Sequence, residues 1–284
     1  MAVAVKRRKR IVPSHVVIYI LLSLWALTTV FPFLWVLVSS FKNKDLILTN
    51  AFSLHFQATL DNYVKTFTKP QQSVGMAYFN SILISGLVTL GVVLLAGMAS
   101  FAMVRYRFRG RKVLDSLVVA SLMFPVFSTI IPVFQMLSYI HVVDNPVGVI
   151  LPQIAGNLSF AMVILMGYIR GMPIDMEESA FLEGCNPFQV FYKVVMPVCR
   201  PAFATVAIFS FLWSYNDLFT QLFFLRSPEK WTITRFLNEV SSQYGTDYGM
   251  MCAVVTLIFV PVMIVYIFLQ KNIIRGLTAG AVKG

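Results

Sequence analysis

Six apolar stretches, each long enough to cross a bilayer as a helix, dominate this chain; they run near 14–40, 76–104, 113–137, 147–169, 202–225 and 249–270. A hydrocarbon core about 30 Å thick requires about 20 helical residues. Because lipid satisfies no backbone polar group, only helices or a closed barrel can cross it. A barrel strand has about 10 residues of alternating polarity, whereas these runs are longer and apolar all round. The fold class is therefore all-α, a polytopic membrane protein. Composition agrees, since 58% hydrophobic and 12% charged residues exclude an ordinary soluble domain. Pro32, Pro125, Pro132, Pro152 and Pro261 fall inside the runs. They read as kinks tolerated where neighbouring helices satisfy the freed carbonyls, or as hinges of a pathway.

Lysine and arginine orient the spans. Alternating sides puts 16 of the 23 basic residues on the side that holds both termini, including Lys6, Arg7, Arg8, Lys9, Arg10 and five in 105–112, and 7 on the other. The positive-inside bias makes the first side cytoplasmic. The expected layout is a basic cytoplasmic N-terminus (1–13), a first transmembrane helix (14–40), an extracytoplasmic loop (41–75), a five-helix transmembrane domain (76–270) and a cytoplasmic tail (271–284). This asymmetry accounts for the net charge of +11 without a nucleic-acid partner. Cys185, Cys199 and Cys252 read as small apolar residues, not a disulfide framework. His15, His55 and His141 match no metal spacing, so no metal is expected. The first run is too long for a cleaved signal peptide and reads as a retained anchor.

The connection 170–200 is long for a loop, and its residues specify order. Pro173 suits a first helical turn, Asp175, Glu177 and Glu178 complement its positive end, and Gly184 suits a C-terminal stop. Asn186 can cap a second helix that begins at Pro187 and is limited by Pro197. At about 100° per residue, Gln189 and Lys193 share one narrow polar stripe of that helix and apolar side chains cover the rest. In the first helix Ile174, Phe181 and Leu182 flank Glu178. Such faces suit insertion into a partner's cleft, where each buried apolar side chain contributes about 1.5–3 kcal/mol; the alternative is a helix pair lying on the membrane surface.

Residues 178–197 read Glu178-Ser179-Ala180, three residues, Gly184, nine residues, Val194, one residue, Met196-Pro197. This resembles the EAA loop of permease subunits in binding-protein-dependent ABC importers, with Ser179, Val194 and Met196 as conservative departures. The tail, with Gly276, Leu277, Thr278, Ala279, Gly280 and Lys283, is similar to that of carbohydrate-importer permeases, above all the smaller maltose-type subunit. Trp213-Ser214-Tyr215-Asn216-Asp217 is a weaker match to the same group. The likeness covers roughly 75–284. It implies a type I importer permease paired with a second homologous permease subunit, two ATPase subunits carrying ATP and Mg, and an extracytoplasmic solute-binding protein that delivers a sugar or oligosaccharide. It also implies that the 178–197 residues couple to the ATPases, that the tail reaches between them, and that most sugar contacts come from the partner permease. The sequence has no Gly-x-x-x-x-Gly-Lys-[Ser/Thr], so this chain binds no nucleotide through a P-loop and needs no cofactor of its own.

Polar residues within the spans are candidates for a translocation pathway, because lipid penalises them. Ser210, Ser214, Asp217 and Gln221 share one face of the fifth span; Gln153 and Asn157 lie one turn apart in the fourth; Ser81, Ser85 and Thr89 repeat every four residues in the second. Phe160 and Tyr215 could offer aromatic platforms to a sugar. The alternative for all three sets is hydrogen bonding between helices. Loops 42–75 and 226–248, the latter with Trp231, Tyr244 and Tyr248, are where a binding protein could dock, or where aromatic rings anchor at the interface. A secondary transporter would carry acids nearer the midplane than Asp115 and Asp217. An enzyme would show His-Glu-x-x-His, Gly-x-Ser-x-Gly or paired carboxylates, and none occurs.

Overall fold

The computed structural model describes residues 13–50, 52–53, 57–68, 73–243 and 247–281; the basic cluster at 6–10, His55, Tyr244 and Lys283 lie outside them. The described residues form helices and no strand: α1 (Pro13–Ser39), α2 (Lys44–Thr49), α3 (Asp61–Phe67), α4 (Val74–Arg105), α5 (Arg111–Ser121), α6 (Val126–Tyr139) and α7 (Pro146–Arg170). They continue with α8 (Asp175–Leu182), α9 (Pro187–Val190), a π turn (Phe191–Val195), α10 (Met196–Val198), α11 (Arg200–Asn216) and α12 (Phe219–Phe224). A 3-10 turn (Pro228–Lys230), α13 (Ile233–Gln243) and α14 (Tyr248–Ala281) complete the chain.

Among the described residues three helices, Val16–Ser39, Val74–Arg105 and Pro146–Arg170, are long and apolar enough to cross a membrane. A fourth crossing arises if Pro187–Val198 and Arg200–Asn216, bent by 85°, are taken together. Phe127–Tyr139 and Tyr248–Ile264 are shorter apolar helices. Two expected spans are not continuous. The stretch 113–137 divides into α5 and α6 at Pro125, whose ring lacks an N–H and disfavours helix in the residue before it. The stretch 202–225 breaks at Asp217, where ψ is 103° and the backbone is extended. The helix of the last expected span, α14, runs on to Ala281, past the expected span end at 270. Adding residues to an existing helix needs no new nucleus, which offsets the cost of Gly276 and Gly280.

The chain divides into two compact units. In the first (residues 1–66 and 246–257), α1 keeps its side chains exposed over 16–34, as a helix facing lipid would. Asn62 organises the segment after α1 by donating to the carbonyls of Ser40 and Lys42, both at 2.8 Å. Gly249 fits against Asn62 because a Cβ there would stand 2.8 Å from its Oδ1.

The second unit (residues 67–245 and 258–284) is built on α4. Ile84, Val88, Val92, Ala96 and Ser100 recur every four residues and are all buried, forming one ridge against α7 and α11. Glycines set the approach along it. A Cβ on Gly91 would lie 2.5 Å from Ile154 Cδ1, and one on Gly97 would lie 2.7 Å from Phe203 and 3.0 Å from Phe191. Small residues at such seams replace the hydrophobic driving force that helices lack inside lipid. The serine set of α4 belongs to this packing. Thr89 donates back to Ser85 O at 2.6 Å, and Ser81 Oγ accepts the N–H of Ile233 at 2.8 Å.

Candidate coupling surface and buried polar network

The 170–200 connection folds as two short helices held against the end of α4. Its base is Glu177, whose carboxylate accepts from Arg105 Nε at 2.7 Å; the side chains are 3% and 13% exposed. Arg105 Nη2 also donates to Met172 O at 3.0 Å, so one guanidinium joins α4, the end of α7 and α8. In sequence Glu177 is one of three acids at a helix start. Its distinguishing signal is spacing: Glu177 and Ala180 lie three apart on the inner face of α8, and both are buried. Glu178, Ser179, Phe181 and Leu182 consequently point outward.

Gly184 has φ +83° and ends α8. Its N–H donates to Phe181 O and that of Cys185 to Ala180 O, both at 3.0 Å, which is the Schellman arrangement and needs a left-handed residue at this point. Asn186 then caps α9 reciprocally: its Oδ1 accepts Gln189 N at 2.9 Å, and Gln189 Oε1 accepts Asn186 N at 2.8 Å. The expected stripe of Gln189 and Lys193 is changed accordingly. Gln189 is folded into the cap, and the π turn that follows shifts the helical register. Val190, Phe191 and Val195 turn inward, with the Phe191 ring 5.9 Å from that of Phe101 on α4.

The outward face carries large apolar side chains among exposed charged and polar ones such as Asp175, Glu183 and Lys193. Leu182 is 90% and Phe188 68% exposed, and Ile174, Phe181 and Tyr192 are exposed as well. Of the motif residues, Glu178, Ser179, Gly184 and Pro197 are exposed, Val194 and Met196 half-buried and Ala180 buried. In the tail, Gly276, Leu277, Thr278, Ala279 and Gly280 continue the backbone of α14.

Five of the six pathway candidates are brought together. Gln153 donates through Nε2 to Asp217 Oδ2 at 2.7 Å and accepts from Ser214 Oγ at 2.5 Å. Gln221 Nε2 donates to Ser214 O at 3.0 Å, one of the carbonyls near the break in the helix, while its Oε1 accepts from Thr232 and Thr234. Asp217 Oδ1 accepts the N–H of Thr220 at 3.1 Å and so supports the start of α12. Gln153, Ser214 and Gln221 are buried, whereas Asp217 and Asn157 are half-buried. Asn157 joins through Gln153 O at 2.7 Å. Ser210 is buried one turn away and takes no part. Of the two aromatic platforms, Tyr215 is buried; Phe160 is half-buried, with its ring 4.7 Å from that of the exposed Trp213.

At the opposite end of α4, loop 226–232 is anchored and not free. Asn80 Nδ2 donates to Glu229 O and Trp231 O, and Trp231, read as a docking or interfacial ring, is 7% exposed with Arg235 stacked 4.3 Å from its ring centre. Asp144, which stands in no sequence motif, clamps this loop. At φ +61°, it accepts from the N–H groups of Arg226 (2.8 Å) and Ser227 (2.9 Å), from Ser227 Oγ, and from Lys230 Nζ (3.1 Å). Burial alone would raise its pKa, but the hydrogen bonds of Ser227, Arg226 and Lys230 outweigh burial and lower it.

Comparison with known proteins gives this geometry a family. The family model described as binding-protein-dependent transport system inner membrane component matches residues 92–279. The diacetylchitobiose uptake system permease protein NgcG of Streptomyces coelicolor is 33% identical over 262 residues, covering 92% of this chain and 86% of that protein. The galactooligosaccharides transport system permease protein GanQ of Bacillus subtilis is 32% identical, covering 94% of each. A chain in the crystal structure of a bacterial ABC transporter involved in the import of the acidic polysaccharide alginate matches with a TM-score of 0.81. That match covers 95% of this chain and 99% of that one; at 21% identity it shows a shared fold. A multi-pass arrangement of apolar helices, an ordered two-helix loop and these matches lead to one conclusion: this chain belongs to the family of inner membrane components of binding-protein-dependent transport systems.

Proposed function

We propose that this chain is the permease subunit of an ATP-driven importer in a bacterial or archaeal cytoplasmic membrane, translocating a sugar or oligosaccharide delivered by an extracytoplasmic binding protein. The observation that carries this reading is the set of large apolar side chains exposed on the outward face of α8 and α9, held on a base of buried contacts to α4. A rigid lever with such side chains exposed suits insertion into a partner's cleft, where its aromatic and aliphatic side chains leave water. The partners are two ATPase subunits carrying ATP and Mg, and a second homologous permease that completes the route through the bilayer. Glu178, Ser179, Gly184 and Pro197 contact the ATPase; Ala180, Val194 and Met196 hold those residues in place; the stretch from Gly276 to Gly280 and Lys283 reaches the ATPase interface. The carbohydrate class rests on the relatives, among them permeases for diacetylchitobiose and galactooligosaccharides. In the route itself, Asn157 and Asp217 face the solute while Gln153, Ser214 and Gln221 hold them from behind.

The test is co-expression with candidate ATPase, permease and binding-protein subunits, followed by ATP-dependent uptake in proteoliposomes across mono-, di- and oligosaccharides. A stoichiometric complex that Glu178→Lys separates from its ATPases is expected. Uptake without any ATPase subunit would overturn the reading.

A further inference from the structure

The turn between α4 and α5 concentrates positive charge that the coupling surface does not use. Arg107, Arg109, Arg111 and Lys112 fall within six residues; Arg107, Arg109 and Lys112 are exposed and Arg111 is half-buried. No ion pair among the described residues includes any of the four, and the nearby acids are already engaged, Glu177 by Arg105 and Asp115 by Arg170. Four charges are therefore uncompensated. Gly110, at φ +89°, folds the turn so that Arg107, Phe108, Gly110, Arg111, Lys112 and Val113 line an open concavity of about 370 Å³. The first turn of α5, with its outward N–H groups, borders it.

The apolar surroundings identify the anion. Tyr106 and Phe108 are exposed beside the cations, and α5 has no buried residue, presenting Val113, Leu114 and Leu117 outward. This turn directly follows a 32-residue apolar helix. Cations and aromatic rings at the end of a span, next to an uncovered apolar helix, are arranged as a lipid meets them: phosphate at the charges, acyl chains along the apolar face. A free anion would have no use for that face. We propose that the concavity at Arg107–Lys112 binds the headgroup phosphate of an anionic phospholipid. The site stands independently of the coupling role of Glu178. Arg105 nevertheless places it on the same helix end as the coupling loop, so the bound lipid braces the base on which that loop rests.

The assembled transporter, placed in nanodiscs of phosphatidylcholine with phosphatidylglycerol and then stripped with detergent, is expected to retain phosphatidylglycerol preferentially in native mass spectrometry. At about 1 kcal/mol per surface cation, removing one charge (R109Q) lowers the retained fraction about fivefold, and R107Q/R109Q/R111Q/K112Q abolishes the preference. The charge-preserving R107K/R109K/R111K keeps it. Neutralising Lys6, Arg7, Arg8 and Lys9 instead lowers it less. If the quadruple variant fails to assemble, R109Q and the lysine variant decide. Equal retention of both lipids by the unaltered protein, an equal loss in the N-terminal control, or displacement by inorganic phosphate as effective as by lipid would overturn the proposal. So would cross-linking of R109C to an ATPase subunit.

Discussion

Arg105 and Glu177, 72 positions apart, form an ion pair 2.7 Å long that is almost entirely withdrawn from water. Such a pair adds little net stability, because desolvation offsets the attraction, but removing one partner strands a buried charge at a cost of about 3–5 kcal/mol. Glu177→Ala is therefore expected to loosen α8, measured as faster amide exchange over 175–182. The exposed neighbour Glu178 is expected to behave differently: Glu178→Lys should change stability by about 0.5 kcal/mol or less and, on the proposed coupling role, separate the ATPases. Equal exchange in the two variants would contradict this division of labour.

Gly184 has open space where a side chain would sit, so its cost of substitution is torsional alone. Gly184→Ala is expected to destabilise the loop by about 1–2 kcal/mol, and Gly184→Asn by less, since asparagine tolerates the left-handed region. Thermal unfolding of the two purified variants orders them.

Gly97 and Gly91 separate steric consequence from composition. A Cβ on Gly97 meets the rings of Phe203 and Phe191, whereas one on Gly91 meets the far end of Ile154, which can rotate away. Gly97→Ala should cost about 1–3 kcal/mol and be relieved by Phe203→Leu. Gly91→Ala should cost less. Melting temperatures of the three variants check the order.

Asp144 gives the 226–232 loop a defined pH dependence. Its native pKa lies below the ordinary value of 3.8. The stabilisation it brings is therefore fully present above that value and is lost as pH falls below it toward the native pKa. Amide exchange at Arg226 and Ser227 should accelerate over that acid range. Asp144→Asn should show fast exchange at neutral pH and little further change on acidification.

Asp217 accepts from Gln153 and from the backbone of Thr220. Asp217→Asn retains one acceptor oxygen and is expected to keep assembly intact while lowering the rate of sugar uptake. Asp217→Ala leaves Gln153 Nε2 without its acceptor and should cost about 1–3 kcal/mol. Unchanged uptake kinetics in Asp217→Asn would make the residue a helix support only.

The helices α1, α4 and α7 begin and end within two residues of the expected spans, because a long apolar run between polar flanks is a local property of the chain. The turn chemistry at Gly184, Asn186 and Pro187 was equally legible, since capping and left-handed glycine act over three to five residues. The partners of individual side chains were not. Whether Glu177 or Glu178 turns inward depends on Arg105 at the end of another helix, and Trp231 is buried because Asn80 holds its carbonyl from 151 positions away. The break at Asp217 is stabilised by Gln153, which is 64 positions away.

From its amino acids alone this chain is committed to helices in a membrane and to an ordered two-helix loop. Run length and turn residues express free energies that neighbouring positions determine. Tertiary structure decided which polar groups become supports and which stay exposed, because the burial of a charge or amide is favourable only where a distant segment supplies its hydrogen-bond partner.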